Sequence, residues 1–96
     1  MSWTVHRQTI NPYPGHHYLY LPKLARILSA QIQHGMISVW YVCDSHAPEM
    51  EQRHYRLVET GELITGDHET YIATFQFSEG QYVLHLFENE TYRSHS

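Results

Sequence analysis

An all-β fold, a small antiparallel sandwich or barrel of about seven short strands built from hairpins, is what this 96-residue sequence predicts. Apolar residues alternate with polar ones at period two over most of the chain, where an amphipathic helix would need 3.6. Turn signals break that alternation at Asn11-Pro12, Pro14-Gly15, His34-Gly35, Gly66-Asp67 and Glu79-Gly80. Two of the turns, at 34–35 and 79–80, bring apolar side chains opposite one another when the flanking residues are folded back as hairpins.

Residues 3–9 alternate cleanly and form the first strand, which the Asn11-Pro12-Tyr13-Pro14-Gly15 cluster ends. A short aromatic strand at 17–21 follows, closed by Pro22. Residues 24–33 admit two readings. Leu24, Ile27, Leu28, Gln31 and Ile32 would suit a helix after Pro22. As a strand, with His34-Gly35 as a two-residue loop, Ile32 faces Ile37, Ala30 faces Val39 and Leu28 faces Tyr41. The helix explains none of those pairs, so the hairpin is the expectation. Residues 44–52 read as a polar loop broken by Pro48, and 53–60 alternate with Tyr55 and Leu57 against Arg56 and Val58. Gly61 and Gly66-Asp67 turn the chain around a brief apolar patch at Leu63-Ile64. The last hairpin is the clearest: a Glu79-Gly80 loop sets Phe77 against Tyr82, Phe75 against Leu84 and Ala73 against Leu86. Its other face carries Gln76/Val83, Thr74/His85 and Ile72/Phe87. Periodicity stops after Glu88, giving a single β domain over 1–88 and a flexible C-terminal tail over 89–96.

Charge narrows the partners. Six Lys+Arg against ten Asp+Glu leave a formal charge of −4, which argues against duplex nucleic acid and an anionic membrane. Five of the six cations are arginines, suited to bidentate recognition of a carboxylate or phosphate, so a small anionic ligand passes this test. Protonating all nine histidines would carry the charge from −4 to +5, so partner choice should respond to acid. Their spacing matches no zinc framework; only His16-His17 and Asp44-x-His46 offer two ligands close in sequence, and no cofactor or metal is expected. Cys43 is single and flanked by Tyr41 and Val42, which predicts a buried apolar thiol and no disulfide. Without a signal core or a membrane-length apolar run, a cytoplasmic location is expected.

No phosphate loop, nucleophile elbow or nucleophile–base pair is present, so the chain reads as a non-enzyme; Glu88 and Glu90 read as solvated or edge-guarding carboxylates. Binding is the remaining class. Trp40 shares a hairpin face with Ser29, Gln31 and Gln33, an aromatic plate beside hydrogen-bonding groups that could take a base, a sugar or a peptide backbone. Thr74, Gln76 and His85 form a second polar cluster, and Arg53 and Arg56 could complement an anion. Eight tyrosines and two tryptophans exceed what a core of this size can bury, which predicts a homodimer or higher homo-oligomer.

Several blocks together resemble a family. They are Leu21-Pro22, Ala25-x-Ile27-Leu28-Ser29-x-Gln31-x-Gln33-x-Gly35, Val39-Trp40-x-Val42-x-Asp44, Thr60-Gly61, Tyr71-Ile72-Ala73-Thr74-Phe75-Gln76 and His85-Leu86-Phe87-Glu88. As a set they are similar to a family of small tailed-phage and prophage proteins of unknown function, over about residues 3–88. The resemblance implies an accessory protein that binds or sequesters a host protein or a small ligand, in host takeover or against a host defence. Three other functions fit the same residues: a nucleotide-sequestering sponge, a minor virion or assembly component, and a metal-dependent hydrolase using the scattered histidines.

Overall fold

Alternation of side chains at period two commits each strand to one buried and one exposed face, and two such sheets bury their apolar faces only against each other. The computed structural model describes residues 2–46, 49–64 and 68–90. They form β1 (Trp3–Ile10), β2 (Gly15–Pro22), β3 (Arg26–Gln33), β4 (Met36–Asp44), β5 (Met50–Glu59), β6 (Glu69–Phe77) and β7 (Tyr82–Asn89). A three-stranded antiparallel sheet runs β1-β4-β3, and a four-stranded one runs β2-β5-β7-β6. Among the described residues no helix is long and apolar enough to cross a membrane.

The two sheets face each other as a sandwich. Ile10, Ala30, Ile37 and Val39 from the first meet Tyr55, Leu57, Phe75, Leu84 and Leu86 from the second. A smaller cluster of Leu21, Ala25, Tyr41 and Cys43 packs at one end. Ile37, Val39, Leu57, Leu84 and Leu86 are fully buried. Truncating any of these leucines to alanine would cost about 2–5 kcal/mol. Cys43 is buried and free, as its apolar neighbours predict.

Residues 24–33 are not helical. The β3–β4 hairpin pairs Ile32 with Ile37, Ala30 with Val39 and Ser29 with Trp40. His34 (φ 54°) and Gly35 (φ 77°) both take left-handed backbone, the geometry a two-residue hairpin loop needs. The register then slips: Leu28 is bulged out, Ile27 takes the place opposite Tyr41, and Leu28 is 49% exposed. The β6–β7 hairpin keeps Phe77/Tyr82, Phe75/Leu84, Thr74/His85 and Ala73/Leu86, but a bulge at Ile72 puts Tyr71, not Ile72, opposite Phe87.

The expected Glu79-Gly80 turn sits at the tip of this hairpin. Glu79 (φ 57°) and Gly80 (φ 89°) take left-handed backbone inside a turn closed by Gln81 N–H to the Ser78 carbonyl at 3.2 Å. The strands themselves stop at Phe77 and Tyr82 because Ser78 (φ 52°) is left-handed too. The polar stretch expected over 44–52 is shorter than its composition suggests, because β4 runs through Asp44 and β5 begins at Met50. Leu63 and Ile64 lie outside any strand. The turn expected at Gly66-Asp67 lies outside the described residues, as do 91–96 of the expected tail; Asn89 still pairs with both His54 and Glu69.

Candidate functional site

Arg53 shares its alternation phase with Tyr55 and Leu57, so β5 delivers a guanidinium into the sandwich. It is 2% exposed and held by Glu88 from β7, with Nε donating to Oε2 at 2.7 Å and Nη2 to Oε1 at 2.8 Å. Nη1 donates to the Ala25 carbonyl. Burial is the largest single influence and works against the cation. The Glu88 hydrogen bond and the nearby charges of Tyr55, Glu88 and Glu51 together outweigh it and hold the guanidinium above the ordinary arginine range. Glu88 is therefore neither solvated nor an edge guard: it neutralises a buried arginine, because β7 turns Leu84, Leu86 and Glu88 to the same side.

This ion pair floors an open cleft of about 510 Å³ between the edge strands of the two sheets. Residues 24–29 make one wall, Thr70, Tyr71 and Ile72 the other, and Glu90 closes one end. Both walls carry a bulge, at Leu28 and at Ile72, where the strands would otherwise run straight alongside each other. Bulges re-aim side chains, and these two leave Leu28 and Tyr71 about half exposed at the opening. At the lip Leu24 has φ 67° and is 84% exposed, as the third residue of a turn closed by Ala25 N–H to the Pro22 carbonyl. Leu24 and Arg26 also border a second hollow of about 390 Å³ on the outer face of the three-stranded sheet, beside Trp3 and Val42. The volume and the mix of apolar walls with a few placed charges fall in the range of small-ligand sites.

The sequence-derived candidates divide among three places. Trp40 lies half-buried on the outer face of the three-stranded sheet, between Arg7 and Ser29 on its neighbouring strands. Beside it Gln33 is already engaged, its Oε1 accepting from Ser38 Oγ at 3.0 Å and from Arg7. Gln31 reaches only toward Ser29 Oγ at 3.5 Å and is exposed. Thr74, Gln76 and His85 lie on the opposite outer face of the molecule, so the two clusters do not form one site. His85 is bridged on both ring nitrogens, to Thr60 Oγ1 at 2.8 Å and Thr74 Oγ1 at 3.0 Å. Of the nine candidates, only Ser29 and Arg53 line the cleft.

Neither arginine offered for an external anion is open to one in the expected way. Arg53 is matched by Glu88, and Arg56 reaches Glu62 at 3.3 Å and Glu69 at 3.8 Å on the other face of β5. The histidine pairs fare differently from their sequence proximity. Adjacent residues of a strand point to opposite faces, so His16 is exposed while His17 turns inward, its Nε2 3.0 Å from the Tyr13 carbonyl. His16 instead meets His54 across the sheet, Nδ1 to Nε2 at 2.6 Å with the rings stacked, and Tyr18 stacks on His54. Burial first, then His16 and Arg56, hold His54 below the ordinary histidine range against the opposing pull of Glu69. Asp44 Oδ1 accepts the His46 backbone N–H at 3.0 Å. Among the described residues no three His, Cys, Asp or Glu side chains are grouped to hold a metal ion.

Sequence reasoning missed Leu24, Arg26, Leu28, Tyr71, Ile72, Glu88 and Glu90 as parts of a site. One signal was available: Arg53 and Glu88 both sit on the apolar phase of their strands, opposite charges aimed at one core. Against known proteins, a family model described as a domain of unknown function, DUF7352, matches residues 1–95. No curated protein and no solved structure matches the chain.

Proposed function

The chain belongs to DUF7352, a domain family of unknown function, and from its own geometry we propose a non-enzymatic binding protein whose ligand seats in the β3–β6 cleft. The carrying observation is convergence: two bulged edges, a left-handed exposed leucine and a buried ion pair all border the same 510 Å³ space. A buried ion pair contributes little net stability, and strained backbone tends to persist where a ligand is clamped. Arg53 and Glu88 saturate each other, which favours holding a ligand over transferring protons or groups. Arg26 and Glu90 bring one charge of each sign to the lining, so the ligand is small and of balanced charge, with an apolar part against Leu28 and Ile72. A strongly anionic nucleotide would meet Glu88 and Glu90. The resemblance to tailed-phage and prophage proteins supports an accessory protein that sequesters such a host component in the host cytoplasm.

The test is a thermal-shift panel of amino acids, dipeptides, nucleotides and polyamines on the wild type and on Leu28→Glu. Leu28 is half exposed in a bulge, so the variant should fold with stability within about 0.5 kcal/mol of wild type. A balanced-charge compound should raise the wild-type melting temperature and fail to do so in the variant. Equal shifts in both proteins would move the ligand out of the cleft.

A further inference from the structure

The side of the sandwich away from the cleft ends in β1, and its edge is the least guarded among the described residues. Edge strands are normally blunted by bulges, prolines, lysines or covering groups. β3 and β6 each carry a bulge. β2 has its Tyr20 carbonyl capped by Gln8 Nε2 at 2.7 Å. β1 pairs with β4 in unbroken register from Trp3 to Ile10 and contains no proline, glycine or lysine.

The direction of its free backbone groups follows from one hydrogen bond. Ser45 N–H donates to the Ser2 carbonyl at 2.9 Å, so even-numbered residues turn toward β4. Groups alternate along an antiparallel strand, so Trp3, Val5, Arg7 and Thr9 aim their N–H and C=O outward. Their side chains share the outer face, where Trp3 is 61% and Val5 57% exposed.

We propose that β1 pairs antiparallel with β1 of a second copy about a two-fold axis at His6, extending the three-stranded sheet across both chains. Residues that face each other in one sheet share a face, so odd positions must meet odd positions. With the axis at His6, Trp3 lies opposite Thr9 of the partner subunit and Val5 opposite Arg7 of the partner subunit. Every outward N–H and C=O of both strands is then paired. An axis at Val5 or at Arg7 strands one of these residues on each chain, and the second also sets Arg7 against its own copy, a like-charge contact. The strand is thus self-complementary in one register, which is what a two-fold interface requires. This surface supplies the partner for the self-association that the aromatic content predicts. It lies on the opposite edge from the cleft, so its failure leaves the ligand reading intact.

Sedimentation equilibrium over a wide concentration range tests it, using wild type, Val5→Pro and Val5→Lys. Proline at an outward position removes only an edge donor and leaves the β4 ladder whole, and lysine at the same exposed site would oppose the partner's Arg7. The wild-type mass should rise with concentration from 11.4 kDa toward twice that value, while both variants stay at one chain with unchanged circular dichroism. If Val5→Pro unfolds, Val5→Lys alone decides. A wild type that remains one chain throughout, an assembly larger than two, or a folded variant that still dimerises would overturn the proposal.

Discussion

Leu24 combines a φ of 67° with 84% exposure, so it bears the cost of left-handed backbone and recovers almost nothing by burial. For a residue with a Cβ that backbone costs about 1–2 kcal/mol, and glycine adopts it freely. Leu24→Gly should therefore stabilise the fold by about 0.5–1 kcal/mol in urea denaturation; a loss of stability would mean the turn is relaxed as it stands. His54 makes a pH-dependent claim. Its folded-state pKa lies below the ordinary value, so as acid is added the unfolded chain takes up its proton first, near pH ~6.5. In that window the unfolded state holds more protons, and stability falls as pH drops, by at most about 1.4 kcal/mol per unit from this one site. His54→Phe, which keeps the stack on Tyr18, should flatten the decline between about pH 5 and 7 relative to wild type. Parallel curves would place the acid sensitivity in other histidines.

At the scale of elements, the hairpins were legible because facing apolar pairs such as Ala30/Val39 and Phe75/Leu84 tolerate no other register. The bulges at Leu28 and Ile72 were not, since nothing in an alternating sequence marks where a strand gains a residue; tertiary fit between the sheets decides it. The site inherits that blindness: its walls are the parts of β3 and β6 where the pattern slips. Its floor was half visible, because Arg53 and Glu88 each occupy an apolar phase. Arg53→Ala should destabilise by about 3–5 kcal/mol, leaving Glu88 charged and buried, whereas Arg53→Met with Glu88→Leu should cost little or stabilise. Denaturant titration of both variants checks this; a single mutant losing under about 1 kcal/mol would show that water already reaches the pair.

The whole molecule is a two-layer sandwich of 44 × 30 × 15 Å whose long sides differ. One side is opened by paired bulges over a buried charge pair, and the other presents the straight strand β1. Its outer faces hold Trp40 and His85 in separate polar surroundings, each tied by hydrogen bonds among neighbours or by flanking strands. On that division rest the two proposals, ligand capture in the cleft and self-pairing at the opposite edge. The most direct measurement of the central claim is a fragment screen by amide NMR on the isotopically labelled protein. Fragments of balanced charge should perturb the amides of Leu24 to Ser29 and of Thr70 to Ile72 together. Perturbations gathered around Trp40 and Gln31, or around Thr74 and His85, with these two segments unmoved, would contradict it.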